Sequence, residues 1–271
     1  MRHAVWYVTW KCNFACPYCF GVAPPRMMLD RPSAAEASAE QWARAWNRIP
    51  GDLVIDITGG EPGLFSSLIE VIERLESDKR CAITTNGTLD ARMLSDRVQP
   101  SKCVLVTMSY HPSAGRNFER FLNNALLLRH RGFKVSVNYV AHPGQMWLIP
   151  TLAAAFQERG IPFHVDPFWQ GPQPFYTYAE AENVFLSAHV APDRTSVYEK
   201  ASGRYMCTAG SGYFVVIPNG EAYTCLSKGR ELENFLGNIF DEKFALLDRP
   251  IFCETKVCLN CDLDHTVRHP A

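Results

Sequence analysis

The sequence lacks any unbroken apolar run long enough to span a lipid bilayer, and its first residues show no signal-peptide pattern. Both absences favour a cytoplasmic protein with no membrane partner. A charge excess of one sign is also lacking, because 27 basic and 28 acidic residues give a formal net charge of -1. No basic stripe is present, which argues against nucleic acid as the main partner.

The length of 271 residues predicts one large and one small domain. Ten cysteines are present, and in a chain without an export signal we expect them to be reduced. Cys81 and Cys103 stand alone at the starts of apolar runs, which predicts buried, unreactive core residues. The other eight fall into two groups with ligand-like spacing, at positions 12, 16 and 19 and at positions 207, 225, 253, 258 and 261.

Short apolar runs alternate with amphipathic stretches over residues 1–166. Strands are predicted at 4–10, 53–58, 81–85, 103–109, 133–140 and 162–166. Helices are predicted near 33–48, 66–77, 90–97, 116–131 and 146–159. Two helix starts carry capping-box patterns, Ser33-Ala-Ala-Glu36 and Ser67-Leu-Ile-Glu70. Six β-α units with near-continuous apolar strands predict an α/β fold, a partial (β/α)6 TIM-like barrel with a parallel sheet.

The pattern changes after the predicted barrel of residues 1–166. Residues 167–206 begin with a segment rich in proline and aromatic residues, which predicts a linker or lid. Residues 207–271 contain two apolar runs around Asn219-Gly220, a pair typical of a hairpin turn. We therefore predict a small C-terminal β-hairpin/helix domain that binds a metal cluster.

Cys12, Cys16 and Cys19 lie in one short segment just after the first predicted strand. Three thiolates on one loop can hold three corners of a four-iron cluster and leave the fourth iron open to a substrate or cofactor. A structural zinc site is the alternative, but zinc takes four ligands and no fourth ligand lies nearby. This cysteine triad therefore indicates a catalytic iron-sulfur site.

The C-x3-C-x2-C spacing of the triad resembles the signature of the radical S-adenosylmethionine (SAM) superfamily. Gly59-Gly60-Glu61-Pro62 after the second strand and Thr85-Asn86-Gly87 after the third resemble further motifs of that family. The resemblance implies a [4Fe-4S] cluster whose open iron binds SAM, a 5′-deoxyadenosyl radical that abstracts hydrogen from substrate, and a flavodoxin- or ferredoxin-type electron donor. The cofactor-binding residues that it implies are Tyr18, Gly59, Gly60, Glu61, Asn86, Ser109 and Asn138.

The second cysteine group resembles a twitch domain, the shortened form of the SPASM domain, which carries an auxiliary [4Fe-4S] cluster. The resemblance implies Cys207, Cys225, Cys258 and Cys261 as its ligands, with Cys253 as a substitute. A zinc site is the alternative, because four thiolates also suit zinc. A cluster with four protein ligands cannot bind substrate directly, so we expect it to transfer electrons.

Catalytic acid-base residues are predicted at the strand ends and beside the auxiliary cluster. His164 and Asp166 are two residues apart on one strand, so they should share a face. The catalytic candidates are Asp166, His164 and Arg204, and His111 and His142 also lie near strand ends. For each histidine taken singly, a structural role is the alternative.

Three functions fit these residues. The first is oxidation of a small molecule, such as a sugar or aminocyclitol, with the auxiliary cluster as electron acceptor, as in short twitch-bearing members of the family. The second is maturation of a ribosomally made peptide by a crosslink, thioether or epimerisation. The third is a non-catalytic iron-sulfur or zinc protein, against which the open-cornered triad and the GGEP motif argue.

Overall fold

A computed structural model of the protein describes residues 1–19, 33–114, 117–168, 176–190, 198–200, 205–228, 232–253, 257–259 and 268–270. For 198–200, 205, 232, 257–259 and 268–270 it describes the backbone alone. Cys261 and Arg204 lie outside the described residues, and Cys258 is among the residues described by their backbone alone.

Strands and helices alternate through the first part of the chain. The strands are β1 (Arg2–Thr9), β2 (Leu53–Gly59), β3 (Lys79–Thr85), β4 (Cys103–Ser109), β5 (Val135–Ala141) and β6 (Phe163–Pro167). The helices between them are α1 (Ala39–Asn47), α2 (Leu68–Arg74), α3 (Ala91–Arg97), α4 (Phe118–His130) and α5 (Ile149–Gln157). All six predicted strands and five predicted helices are present.

The remainder of the chain adds one helix and eight short strands within the described residues. These are α6 (Glu180–His189), β7 (Tyr198–Lys200), β8 (Tyr205–Cys207), β9 (Tyr213–Val216), β10 (Glu221–Tyr223), β11 (Phe235–Asn238), β12 (Ile251–Cys253), β13 (Val257–Leu259) and β14 (Arg268–Pro270). The predicted hairpin is present as β9 and β10, and Gly220 takes a positive φ of 85° in its turn.

Nine strands form one sheet in the order β11-β10-β9-β1-β2-β3-β4-β5-β6. The strands β1 to β6 pair in parallel, which confirms the α/β class and the parallel sheet of a partial TIM-like barrel. Strand β9 also pairs in parallel with β1. The C-terminal hairpin therefore continues the sheet of residues 1–166, while the predicted division into domains stays a prediction.

The two faces of the sheet differ in what covers them. Alternate residues of β1, among them Trp6, belong to the core between the sheet and the helices. The Trp6 ring lies 4.6 Å from that of Trp42 and 5.4 Å from that of Trp46, so aromatic packing seats α1 on β1. Val5 and Tyr7 point the other way, into a second apolar cluster formed with the C-terminal strands. We call this second side the open face.

Helix α1 begins later than the sequence predicts. Residue 33 is not its cap, because the backbone N–H of Ala35 donates to Pro218 in the hairpin turn. The capping box is instead made by Ser38 and Gln41, whose side chains each accept the other's backbone N–H. The predicted box at 33–36 is therefore wrong.

The second predicted capping box is also absent. Ser67 precedes α2, but its side chain makes no capping hydrogen bond. The carboxylate of Glu70 accepts from Arg74 at 2.7 Å instead, one turn further along the helix. Glu70 therefore forms an i,i+4 ion pair with Arg74 and takes no part in a capping box.

Helix α6 lies within the predicted linker or lid. None of its residues is buried, so it has little apolar periodicity by which a sequence pattern could reveal it.

Cys81 and Cys103 are buried in adjacent positions of β3 and β4, as predicted for core cysteines. In the described part of the chain, no helix has the length and apolar character needed to cross a bilayer.

Candidate active site

The cysteine triad lies in the loop that leaves the C-terminal end of β1. Cys12 is exposed, Cys16 is buried and Cys19 is half-buried. The backbone N–H of Cys19 donates to the Cys16 carbonyl at 3.0 Å, which forms a tight turn between them. In parallel α/β folds this edge of the sheet is where functional residues converge.

The GGEP motif holds the base of the cysteine loop. The backbone N–H of Gly60 donates to the Thr9 carbonyl at 2.7 Å, and that of Glu61 donates to the Lys11 carbonyl at 2.8 Å. A Cβ on Gly60 would lie 2.1 Å from the Lys11 oxygen, and one on Gly59 would lie 2.4 Å from the Thr9 oxygen. The glycines therefore permit the close approach of the cysteine loop's own backbone.

Glu61 is fully buried, and its carboxylate joins the loop after β2 to the loop after β3. One oxygen accepts from the Thr85 hydroxyl at 2.6 Å and from the Gly63 N–H at 3.0 Å. The other accepts from the Asn86 N–H at 2.7 Å. Charge-assisted hydrogen bonds compensate the cost of burying the carboxylate, so Glu61 fixes the position of Asn86.

Asn86 connects this framework to the triad. Its side-chain amide donates to Cys12 Sγ at 3.8 Å and to Asn13 Oδ1 at 2.9 Å. Asn13 in turn donates to the Thr88 hydroxyl at 3.1 Å. Asn13 and Thr88 are not among the predicted site residues, although Asn13 lies between Cys12 and Cys16 and Thr88 directly follows the Thr85-Asn86-Gly87 motif.

Tyr18 connects the cysteine loop to the loops that follow β4 and β5. Its hydroxyl lies 3.2 Å from His111 Nδ1 and accepts from the Ser113 hydroxyl at 3.1 Å. Its ring is 5.4 Å from that of His142, which follows β5. Burial lowers the pKa of His142, so its imidazole is neutral at neutral pH. The loops after β4 and β5 therefore meet the cysteine loop at Tyr18.

Aromatic residues after β6 close over the buried part of the triad. Tyr178 accepts from the Phe168 N–H and donates to the Ala141 carbonyl, both at 2.8 Å. Phe168 packs edge-on against His142 at 4.7 Å. We call Phe168, Tyr176 and Tyr178 the aromatic cover. Cys16, Tyr18 and Phe168 form a buried cluster, with Phe14, Cys19, Ala114, Val140, Tyr176 and Tyr178 packed around it.

Four predicted site residues line neighbouring positions on the open face. Ser109 is paired with Asn138 across β4 and β5, and Asn138 is paired with His164 across β5 and β6. The Asn138 amide donates to Asp166 Oδ2 at 3.1 Å, which places the carboxylate on the same face. The predicted sharing of one face by His164 and Asp166 is therefore observed.

The donor set of the triad fits a cluster of several irons. Burial, together with the nearby thiols of Cys19 and Cys12, raises the pKa of Cys16 to about 11. No three ligand-type side chains in the described ranges lie close enough together to hold a single metal ion. One tetrahedral zinc would need sulfur atoms about 3.8 Å apart, given Zn–S bonds of about 2.3 Å. Three cysteine thiols on one loop are the donor type that iron-sulfur clusters use.

Three cysteines of the second group share the apolar cluster of the open face. Cys207, Cys225 and Cys253 are all buried there, together with Val5 and Tyr7 of β1. The structure thus places Cys253, named as a substitute ligand, beside two of the preferred ligands. Cys258 lies on β13, which pairs with β7.

The chain belongs to the radical SAM superfamily, whose family model matches residues 6–147, more than half of the 271 residues. The members of this family use SAM and a [4Fe-4S] cluster. The matched region runs from β1 through the loop after β5. It includes the triad, the GGEP motif and Asn86.

Proteins similar to this chain differ in function. A probable GTP 3′,8-cyclase of Methanopyrus kandleri is 38% identical over 91 residues, which are 33% of this chain and 28% of that protein. The subtilosin biosynthesis protein AlbA of Bacillus subtilis is 25% identical over 277 residues, covering 92% of this chain and 60% of AlbA. This chain therefore spans less than two thirds of either relative.

A solved structure shares the fold. Streptococcus suis SuiB bound to its precursor peptide SuiA superposes with a TM-score of 0.61 at 18% sequence identity. The match covers 89% of this chain and 63% of SuiB. At this identity the likeness concerns the fold.

Proposed function

We propose that this protein holds a [4Fe-4S] cluster on Cys12, Cys16 and Cys19 and uses SAM to oxidise a substrate by hydrogen abstraction. One observation carries this proposal: backbone donors of Gly60 and Glu61 fix the cysteine loop at the C-terminal edge of a parallel sheet. When bound there, the cluster and SAM supply a 5′-deoxyadenosyl radical. The residues proposed to contact SAM are Tyr18, Gly59, Gly60, Ser109 and Asn138, whereas the buried Glu61 and Asn86 hold the cysteine loop in place.

The open face supplies an acid-base group for the oxidation. A substrate alcohol that has lost one hydrogen atom becomes a ketone by losing one electron and one proton. Asp166 accepts the proton, and its hydrogen bond from Asn138 holds the carboxylate in place. His164, next to it on β6, is the second candidate, and the predicted role of Arg204 stays a prediction.

The electron passes to an auxiliary [4Fe-4S] cluster in the C-terminal region. The burial of Cys207, Cys225 and Cys253 in one apolar cluster supports this part of the proposal. Either Cys258 or Cys261 supplies the fourth thiolate. We propose that Cys253 is a ligand, because it shares its surroundings with Cys207 and Cys225.

The first substrate candidate is a small polar molecule of the sugar or aminocyclitol type. Hydroxyl, amide, imidazole and carboxylate groups on the open face support it, since they match such a substrate's hydrogen-bonding groups. The residues are Ser109, Asn138, His164 and Asp166.

A ribosomally made peptide is the second candidate. The alignment with AlbA, a bacteriocin biosynthesis protein, spans 92% of this chain and favours it. Formation of a crosslink at a peptide Cα also removes two electrons from the substrate, so the same auxiliary cluster would accept the second electron.

Incubation of the anaerobically reconstituted protein with SAM and dithionite tests the central proposal. We expect 5′-deoxyadenosine from the wild type and from Cys103→Ala, a buried cysteine outside both groups, but none from Cys16→Ala. An iron-loaded wild type that forms no 5′-deoxyadenosine would refute the proposal. A panel of polyols and aminocyclitols, set against precursor peptides encoded by neighbouring genes, then distinguishes the two substrate classes by the two-electron-oxidised product.

A further inference from the structure

We infer that Asn86 is a positioning residue that holds the cluster ligand Cys12 and raises the reduction potential of the triad's cluster. This inference rests on the cluster site proposed above. Asn86 is buried, and its side-chain amide reaches Cys12 Sγ at 3.8 Å. A second donor, the backbone N–H of Phe14, lies 3.4 Å from the same sulfur. Cys12 thus receives hydrogen bonds although it is the exposed member of the triad.

The orientation of the Asn86 amide is fixed by its neighbours. Its Oδ1 accepts from the Thr88 backbone N–H at 3.0 Å and from the Thr88 hydroxyl at 2.6 Å. Its Nδ2 donates to Asn13 Oδ1 at 2.9 Å. A flipped amide would place NH2 against the Thr88 N–H donor and an oxygen against Asn13 Oδ1. The N–H side therefore faces Cys12.

The backbone of Asn86 is fixed just as firmly. Glu61 accepts its N–H at 2.7 Å and the hydroxyl of Thr85 at 2.6 Å, and both contacts are buried. Side-chain rotation and loop movement are thus both restricted by hydrogen bonds. These contacts hold the amide beside Cys12 Sγ.

A hydrogen-bond donor held at a cysteine sulfur favours the reduced form of a cluster. Reduction adds negative charge, part of which resides on the ligating sulfur, and an N–H group directed at that sulfur stabilises the charge. Without the donor, the reduced form loses this stabilisation and the potential falls. Glu61 acts through Asn86, so the GGEP carboxylate serves the cluster without touching it.

The test measures the midpoint potential of the triad's cluster by electron paramagnetic resonance during a redox titration. The signal of that cluster is the one that is absent from Cys16→Ala. For Asn86→Ala we expect the ratio of reduced to oxidised cluster at fixed potential to fall about tenfold, a shift of about 59 mV for a one-electron couple. Asn124→Ala is the matched control. Asn124 donates to the Gly87 carbonyl in the same loop, so this variant should keep the wild-type potential.

Asn86→Asp is the second variant, since it keeps the shape and the acceptor for Thr88 but replaces the donor with a carboxylate oxygen. We expect a lower potential than in Asn86→Ala, or loss of iron with unchanged circular dichroism. Iron-loaded Asn86 variants with the wild-type potential would overturn the role of Asn86. A wild-type protein that binds no iron at the triad would instead refute the cluster site, and the inference with it.

Discussion

Asn138 and Asp166 meet across neighbouring strands, with the Asn138 amide 3.1 Å from Asp166 Oδ2. Both lie on the open face, Asn138 in the middle of β5 and Asp166 near the C-terminal end of β6. This hydrogen bond orients the carboxylate. Such a carboxylate is suited to accept a proton from a substrate held above the sheet edge.

Replacing Asp166 should separate radical formation from product formation. In Asp166→Asn we expect the oxidised product to fall about 100-fold or more, the usual size of a general-base effect, while 5′-deoxyadenosine still forms. The measurement is the ratio of the two products by mass spectrometry, with whichever substrate the oxidation assay identifies. Asn138→Ala, which keeps the carboxylate but removes its donor, should show an intermediate loss. Full product from Asp166→Asn would exclude Asp166 as the base.

Gly60→Ala should displace the cysteine loop, because the new Cβ would lie 2.1 Å from the Lys11 carbonyl oxygen. We expect a loss of about 1–3 kcal/mol in the free energy of unfolding, as for other overpacked sites, and fewer irons per chain after reconstitution. The control is Gly212→Ala, where the nearest atom is a Thr208 side-chain carbon at 3.3 Å. Equal iron content in both variants would contradict the proposed support of the loop.

The metal-free protein should lose stability in alkaline solution. Burial, with the nearby Cys19 and Cys12 thiols, raises the pKa of Cys16 from 9.0 to about 11, so the folded state keeps a proton that the unfolded state has released. This contribution, on the order of 2 kcal/mol, is complete below about pH 9 and is lost as pH rises through about 11. Burial raises the pKa of Tyr178 to about 12, which acts in the same direction.

Urea unfolding of the metal-free protein across this pH range measures the loss. In Cys16→Ala the decline should be shallower, since one of the contributing groups is gone. Bound iron should also reduce the decline, because its thiolate ligands are already deprotonated. A wild-type stability that is constant or rises between about pH 9 and 11 would contradict the assignment.

The hydroxyl of Tyr178 should matter for protection of the cluster. It joins Phe168 to the end of β5, so Tyr178→Phe removes two hydrogen bonds and should cost about 1–2 kcal/mol. We expect Tyr178→Phe to lose iron faster in air than the wild type, as measured by the decrease in absorbance of the cluster. Tyr176→Phe, which keeps the ring packed 5.6 Å from Phe168, is the matched control. Equal rates of iron loss in the two variants would refute a protective role for the Tyr178 contacts.

Local patterns were sufficient to predict the strands and the position of the triad. Most of the six parallel strands contain a short apolar run, and each motif lies at or just after the end of one of them. The helix start at Ala39 was harder, because two Ser-x-x-Glu/Gln patterns compete there. Only the contact between Ala35 and the distant Pro218 decides between them.

Contacts between distant segments left no local signal in the sequence. Asn13 and Thr88 are 75 residues apart, and nothing near either residue indicates their hydrogen bond. The parallel pairing of β9 with β1 is equally nonlocal, so the hairpin was predicted but its place in the main sheet was not. The GGEP glycines also make a nonlocal contact, with the backbone of the loop after β1. Their role in supporting that loop therefore left no local signal.

The most direct test of the account is electron-nuclear double resonance on the reduced, reconstituted protein with SAM labelled with 15N at its amino group. We predict a 15N coupling to the cluster in the wild type and in Cys225→Ala, which keeps the triad intact. The coupling should be absent from Cys16→Ala. A fully iron-loaded wild type with no coupling to the labelled nitrogen would contradict the claim that the triad's open iron binds SAM.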